Sequence, residues 1–320
     1  MSIDSNVWMR PLGLTGLEVS AVCLGGSPLG SEPHNYGHSV STESAVELVA
    51  ATFGSPITMI DTSNGYSHGD SERRIGMAVT KAGGLPDGFL VSTKVDARNG
   101  DFSATRVRDS VRESCERLGL NRLPLVYLHD PEFHNDDALM GPGGAVEGLL
   151  ELKNEGIIDH LGVAGGRTDV LGRYLDLNIF EVVLSHNRWT LVDRSAGELF
   201  RRAHAAGIGV ANAAIYGGGI LAAPHGTNTK YAYGPAQPIL LQAVSEMANV
   251  CEKYDTDLAT ASLQFSLRTS VVDTTVIGMS STQKLTKTLT NCGKKLPPEL
   301  FEELETLTPP PETWLDSNLI

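Results

Sequence analysis

The 320-residue sequence is short of cysteine, of basic charge and of long apolar runs, and each shortage removes a class of function. Its four cysteines, Cys23, Cys115, Cys251 and Cys292, lie far apart and form no CxxC pair, so neither a zinc knuckle nor a dithiol redox motif is written here; they read as reduced and structural. Lys plus Arg number 25 against 38 Asp plus Glu, a formal net charge of −13, so polyanions are repelled and neither nucleic acid nor an anionic membrane is an expected partner. No apolar run is long enough to cross a bilayer, and the opening MSIDSNVWMRPLG lacks the basic-then-apolar order of a secretory signal, which makes the cytoplasm the expected location. His34, His134 and His204 have no partners at metal-ligand spacing, so no metal is assigned.

What the chain does contain is a repeat of short apolar runs and helical patterns. In order the runs are VSAVCLGG, TMID, FLVSTK, LVYLHD, HLGVAG, VVLSHN, IGVANAA and TTVIGM, and helical spacing follows each, as in TESAVELVAATF with Ser41 or Thr42 as its cap. None alternates polar with apolar, which implies parallel strands covered by helices on the outside. Eight such units predict an α/β fold of the closed (β/α)8 barrel type, a TIM barrel, as one domain over residues 1–320. A doubly wound open sheet is the competing layout, but the first loop, GGSPLG, lacks the GxGxxG spacing that usually marks its nucleotide site. MRPLGLTGLEVS, with Gly13 and Gly16, reads as an N-terminal hairpin, and the extra C-terminal segment PPELFEELETLTPPPETWLDSNLI as a helix plus a proline-rich stretch able to fold over one barrel mouth.

In such a barrel the carboxyl ends of the strands open on one face, so Asp61, Lys94, His129 and Asn187, each closing a different run, should converge, with Tyr66 on the loop beside them. Each alone has an ordinary structural explanation: Asp61 as a turn cap, Lys94 snorkelling outward, His129 satisfied by backbone, Tyr66 as half-buried filler. Together they favour chemistry. A phenol ionises near pH 10, and a lysine ammonium within hydrogen-bonding reach stabilises the phenolate, which makes Tyr66 a workable acid or base. Asp61 would keep Lys94 charged and aimed, and His129 would hold a substrate oxygen. None of these groups donates electrons, so reaction at a carbonyl or alcohol carbon needs hydride exchange with a cofactor.

The motifs MIDTSNGYSHGDSERRIG, STK, LVYLHD and TTVIGMSSTQKL together resemble the aldo-keto reductase superfamily over nearly the whole chain. VYLHDPE and NAAIYGGGIL resemble its aldose 1-dehydrogenase branch, which includes galactose- and fucose-oxidising enzymes and pyridoxal dehydrogenase. The resemblance implies catalytic Tyr66, Asp61, Lys94 and His129, and a nicotinamide cofactor near Gly26, Ser27, Asp61, Asn187, Ala213, Gly217, Gly219, Leu221, Gly278, Ser280 and Lys284. The chain departs from the family pattern at several of these positions. Ala164 and Gly165 stand where Ser-Asn is frequent, Asn187 where Gln is common, and Ala213 where many members stack an aromatic ring, a role left to Tyr216 or Trp189. After the eighth strand, Gly278, Met279, Ser280 and Ser281 replace basic residues, leaving Lys284 and Lys287; NAD is therefore expected over NADP. The glycines of YGGGIL are expected to approach a pyrophosphate, and the loop carrying His225 and Tyr231 to close over the site. Asn64, Arg188 and Trp189 are the expected contacts of a small sugar or aldehyde substrate. The expected reaction is oxidation of an aldose to its lactone, with broad aldehyde or ketone reduction, pyridoxal oxidation and a non-catalytic cofactor-binding subunit as alternatives. Oligomeric state is not legible.

Overall fold

The computed structural model describes residues 8–33, 37–223 and 228–317. Strands β1 (Met9–Pro11) and β2 (Glu18–Ser20) pair antiparallel as the expected hairpin. Eight further strands, β3 (Val22–Gly25), β4 (Met59–Asp61), β5 (Leu90–Val95), β6 (Leu123–His129), β7 (Ile158–Gly165), β8 (Val182–His186), β9 (Gly209–Ala213) and β12 (Thr274–Gly278), close into a parallel barrel in which β12 pairs with both β3 and β9. The two-residue strands β10 (Lys230–Tyr231) and β11 (Gly234–Pro235) form a small ribbon between β9 and β12. The expected first run is not one strand: Val19 belongs to the hairpin and the barrel begins at Val22.

Helices α1 (Thr42–Phe53), α2 (Asp70–Ala82), α3 (Ala104–Leu118), α5 (Ala145–Asn154), α6 (Thr168–Leu175), α7 (Gly197–Ala205), α8 (Pro238–Lys253), α9 (Leu258–Leu267) and α10 (Thr282–Cys292) surround the barrel, with a short α4 (Asp136–Met140) and a C-terminal α11 (Pro298–Thr306) added. Hydroxyl and carboxyl caps start several of them: Ser41 accepts from Ser44 N, Ser103 from Arg106 N, Asp257 from Thr260 N and Ser281 from Lys284 N. Each such cap satisfies an otherwise orphaned amide and contributes about 1 kcal/mol. Among the described residues no helix is long and apolar enough to cross a membrane.

The strands read as continuous apolar runs because both of their faces are buried. Outward residues such as Val22, Leu24, Val91 and Val126 pack under the helices. Inward residues, two apart, fill the barrel: Cys23, Met59, Leu125, Tyr127, Ala164, Leu184, Ala211 and Val276 form a separate cluster. Gly162 makes room for the Tyr127 ring, since a Cβ there would lie 2.3 Å from it. Leu12 and Val19 of the hairpin join the same cluster. Leu14 N donates to Gly207 O (2.7 Å) and Gly13, at φ 55°, lies so close to Gly209 that a Cβ would sit 2.3 Å from its nitrogen. The hairpin thus plugs the end where the strands begin, opposite the mouth at which their carboxyl ends lie.

Candidate active site

The inward positions that plug the barrel continue up to the mouth, where their chemistry changes. Met59 is followed two residues on by Asp61, Ser92 by Lys94, Tyr127 by His129, Leu184 by His186 and Ala211 by Ala213. Register places Asp61 beside Ser92 and Lys94 beside Tyr127, so the polar groups form one layer above an apolar plug. Lys94 and Asp61 are buried to 1% and 5% side-chain exposure and pair at 2.6 Å. Lys94 Nζ also donates to Thr62 O (2.7 Å) and to the Tyr66 hydroxyl (3.3 Å), and Ser92 Oγ donates to the other Asp61 oxygen (2.8 Å). Every hydrogen of the ammonium therefore has a partner, one of them the phenol. A buried ion pair persists only with such full satisfaction.

Tyr66 comes from the loop after β4, in a turn where Ser67 and His68 hold φ of 49° and 55°. Glu32 accepts from the nitrogen and hydroxyl of Ser67, both at 3.0 Å, and anchors that turn. The His129 ring meets the Tyr66 ring edge-on at 5.7 Å between centroids. Nδ1 of His129 lies 2.6 Å from Asp96 Oδ1, and Nε2 lies 3.7 Å from Asp130 Oδ2. Burial disfavours charge on this imidazole, but Asp96 and Asp130 outweigh it and hold its pKa above the ordinary histidine value. Burial likewise opposes the charge of Asp130, yet the neighbouring His129 and His186 keep its carboxyl down at about 2. His186 Nε2 stands 3.8 Å from Asp130 Oδ1, and the exposed Tyr233 ring leans edge-on against His186. Asp96 and His186 escaped the sequence reading, and Asp130 entered it as the end of the LVYLHD run without a role at the site. The signal was there in the two-residue spacing, which puts Asp96 on the face of Lys94 and His186 on the face of Leu184.

The side chains of three expected substrate contacts are engaged by protein partners. Asn64, 3% exposed, turns its amide to Ser110 O and Glu113 Oε2, both at 3.1 Å, and so ties the Tyr66 loop to α3. Arg188 pairs with Asp316 at 2.9 Å in the C-terminal segment. Trp189 donates to Thr269 Oγ1 (3.1 Å) and packs against Phe200 and Phe265, behind the strands. That C-terminal segment does reach the mouth's rim, where Asp316 also accepts from the amide (2.9 Å) and hydroxyl (2.7 Å) of Thr168 and Leu315 N donates to Asp193. Tyr231, expected on a closing loop, is instead a buried anchor whose hydroxyl donates to Asn187 O (2.6 Å) and meets Thr190 Oγ1 (2.9 Å). His225 and His34 lie outside the described residues.

The residues expected at a cofactor divide in the same way. Asn187 sits at φ 61°, 2% exposed, and its Oδ1 is buried without a hydrogen-bond partner while Nδ2 meets His186 Nδ1 at 3.1 Å. Such an orphaned acceptor at the mouth suits a carboxamide donor. Ala213 lies beside it, its carbonyl accepting from Asn187 N (3.2 Å), and the half-buried Tyr216 ring packs against the main hydrophobic core. Gly217, Gly218 and Gly219 all hold positive φ, but the amides of Gly217, Gly219 and Leu221 bond within the turn to Ala214 and Tyr216. Three of the amides of the turn expected to approach a pyrophosphate are thus engaged within the turn itself. What the glycines supply is room: a Cβ on Gly217 would lie 2.3 Å from the Tyr231 ring.

Across the β3–β12 seam, buried Gly26 donates to Asp61 O (2.7 Å), Ser27 starts the following turn, and Gly278 abuts Pro28 of that turn. The N-terminus of α10 opens there, with Ser280 Oγ held between His38 Nε2 (2.8 Å) and Lys284 Nζ (2.9 Å). A helix N-terminus with a lysine is a ready anion cradle. Lys287 instead pairs with Asp257 at 3.4 Å. After β7 the place of the frequent Ser-Asn is filled by Glu132, whose Oε1 accepts from Gly166 N (2.5 Å) and Arg167 N (3.2 Å). Asp130, Glu132 and His186 bring donor atoms within 4.8 Å of one another, with Glu132 Oε1 accepting from two amides and Asp130 facing two imidazoles, and we assign no metal.

A layer of this composition, at the open end of a parallel barrel, is matched by a model of the Aldo/keto reductase family over residues 21–308. The chain belongs to the aldo/keto reductase family. It is 32% identical over 287 residues to L-galactose dehydrogenase of Arabidopsis thaliana, covering 88% of this chain and 86% of that one. It is 28% identical over 315 residues to D-threo-aldose 1-dehydrogenase of Pseudomonas sp, covering 90% and 94%. An aldo-keto reductase of Bacillus halodurans in its holo form superposes with a TM-score of 0.76 at 21% identity, over 94% of this chain and 96% of that one, a likeness of fold. The resemblance read from the motifs and the eight-stranded barrel are both borne out. As an aldo/keto reductase the protein is an oxidoreductase of a family that uses nicotinamide cofactors.

Proposed function

We propose that this aldo/keto reductase acts as one barrel domain that oxidises an aldose at its anomeric carbon to the lactone, with NAD as the preferred cofactor. The observation that carries the reading is the Lys94 ammonium, held by buried Asp61 and lying 3.3 Å from the Tyr66 hydroxyl. An ammonium so placed stabilises the phenolate, and Tyr66 takes the proton of the anomeric hydroxyl as that carbon is oxidised. His129 hydrogen-bonds the same oxygen. Bound nicotinamide supplies the hydride acceptor. Asn187 Oδ1 would hold its carboxamide, and Ser280, Lys284 and the α10 N-terminus its phosphates.

A sugar suits the mouth because Asp130, with one oxygen lacking a partner, and His186 offer acceptors and donors to hydroxyls, while the exposed Tyr233 ring offers an apolar face. The names of two relatives, an L-galactose and a D-threo-aldose dehydrogenase, support the same substrate class. NAD is favoured because Lys284 already donates to Ser280 and Lys287 pairs with Asp257, which leaves no arginine fork at the β12–α10 turn for a 2′-phosphate.

The test is to mix purified protein with NAD or NADP and a panel of aldoses, pyridoxal and simple aldehydes, following the absorbance of reduced cofactor. Turnover of an aldose with NAD is expected. Consumption of NADPH with simple aldehydes and none with aldoses would replace the reading with carbonyl reduction, and oxidation confined to pyridoxal would replace the substrate. Tyr66→Phe should lower kcat by about 10²- to 10⁴-fold while cofactor binding persists. A fully active phenylalanine variant rules out the acid–base role.

A further inference from the structure

Both nitrogens of the His129 ring face carboxylates, and the tighter contact is at Nδ1. Asp96, two residues beyond Lys94, accepts from Nδ1 at 2.6 Å. It is itself held at its second oxygen by the amide of Gly65 (2.7 Å) and by the hydroxyl of Ser63, which also lies 3.2 Å from His129 Nδ1. Three groups from the β4 loop and the end of β5 thus lock one orientation of the ring at the end of β6. Gly65 is adjacent to Tyr66, so the contact that anchors Asp96 also anchors the loop bearing the phenol. Were Gly65 any other residue, its Cβ would lie 3.0 Å from the Asp96 carboxylate.

We propose that Asp96 is a positioning residue: by accepting the Nδ1 proton of His129 it turns Nε2 to the mouth and keeps that nitrogen a proton-bearing donor to the substrate oxygen while Tyr66 exchanges the proton. This rests on the acid–base reading of Tyr66 and His129 above. With Nδ1–H committed to Asp96, a neutral ring would present a bare Nε2 lone pair, which can only accept; Asp130 Oδ2 at 3.7 Å from Nε2 favours the doubly protonated ring instead. The other groups facing His129 are Lys94 from β5, which opposes a charge on the ring, Tyr66 edge-on from its loop, and His186 of β8 behind Asp130. The raised pKa of His129 agrees with this balance, and the burial-opposed but lowered pKa of Asp96 is its counterpart. No covalent step is added: the proton of the substrate hydroxyl still passes to Tyr66.

The experiment is a histidine NMR titration of the protein without substrate, with the His129 resonance assigned by its loss in His129→Gln, alongside kcat and KM across pH. Asp96→Asn should move the His129 titration to lower pH, displace the pH profile of kcat in the same direction, and lower kcat near neutrality by about 10²-fold with KM changed far less. Ser63→Ala, which removes one of the two donors that hold the second oxygen of Asp96 and so loosens the carboxylate, should give the same displacement in smaller measure, and it carries the test if Asp96→Asn does not fold. A His129 titration unmoved in the variant, or a kcat lowered evenly at all pH values, overturns the proposal. Failure of the underlying reading looks different: a fully active Tyr66→Phe removes the acid–base role of Tyr66 and leaves the effect of Asp96 on the His129 resonance in place.

Discussion

Replacing Asp61 by Asn keeps the shape of the side chain and an acceptor for Ser92, but strips the buried Lys94 ammonium of its counter-charge. Both partners are almost completely enclosed and 2.6 Å apart, and the remaining acceptors of Lys94 are a neutral carbonyl at 2.7 Å and a phenol at 3.3 Å. Removing one member of such a pair costs about 3–5 kcal/mol, because the other is left as an uncompensated charge out of water. With a urea m-value of about 3 kcal/mol/M for a chain this size, the midpoint of unfolding should fall by about 1 M or more. Lys94→Met alone leaves Asp61 unpaired and should also destabilise. The double variant, Asp61→Asn with Lys94→Met, removes both charges and should recover about 3 kcal/mol relative to the sum of the single changes. Urea titrations of the four proteins measure that coupling. A midpoint shift under about 0.2 M in Asp61→Asn, or strictly additive single effects, would refute the claim that the pair is dry and mutually dependent.

Glu113 is opposed by burial, but Arg106, Arg98 and Asn64 hold its carboxyl down to about 2 from an ordinary 4.5. A carboxyl depressed on folding contributes stability that is complete above its unfolded value and lost as pH falls from about 4.5 through about 2. Glu113→Gln should therefore flatten the acid limb of a stability-against-pH curve, and parallel curves for the two proteins would sink the assignment. Tyr231→Phe leaves the buried carbonyl of Asn187 without its 2.6 Å donor and removes one of the partners of Thr190 Oγ1. The expected loss is about 1–3 kcal/mol by urea unfolding, accompanied by weaker cofactor binding through a loosened Asn187; a loss under about 0.5 kcal/mol counts against it.

How much of this was legible in the chain follows from which contacts are local. The eight strands could be counted because a parallel strand buried on both faces is apolar throughout, and Asp61, Lys94 and His129 stood out as the groups that end such runs. The same continuity concealed the alternation within each run. Leu184 and His186, or Lys94 and Asp96, share a face only once one knows that inward residues fall two apart. Asn64, Arg188 and Trp189 sit beside the right strands, yet their directions are chosen by distant partners on α3, in the C-terminal segment and after α9. The break at Ala21 was hidden because hairpin and barrel strand are equally apolar there. The glycine turn after β9 announced its backbone conformation but not the destination of its amides.

The four groups proposed to act on substrate are not held by equal means. Asp61, Lys94 and His129 are spaced by the ladder hydrogen bonds of adjoining strands, so their separations shift only if the barrel itself does. Tyr66 rides on a loop moored by Asn64 to Glu113, by Ser67 to Glu32 and by Gly65 to Asp96. Mild heat or denaturant that frees those moorings would let the phenol drift from the ammonium while the barrel stays intact, and turnover would disappear ahead of any unfolding signal.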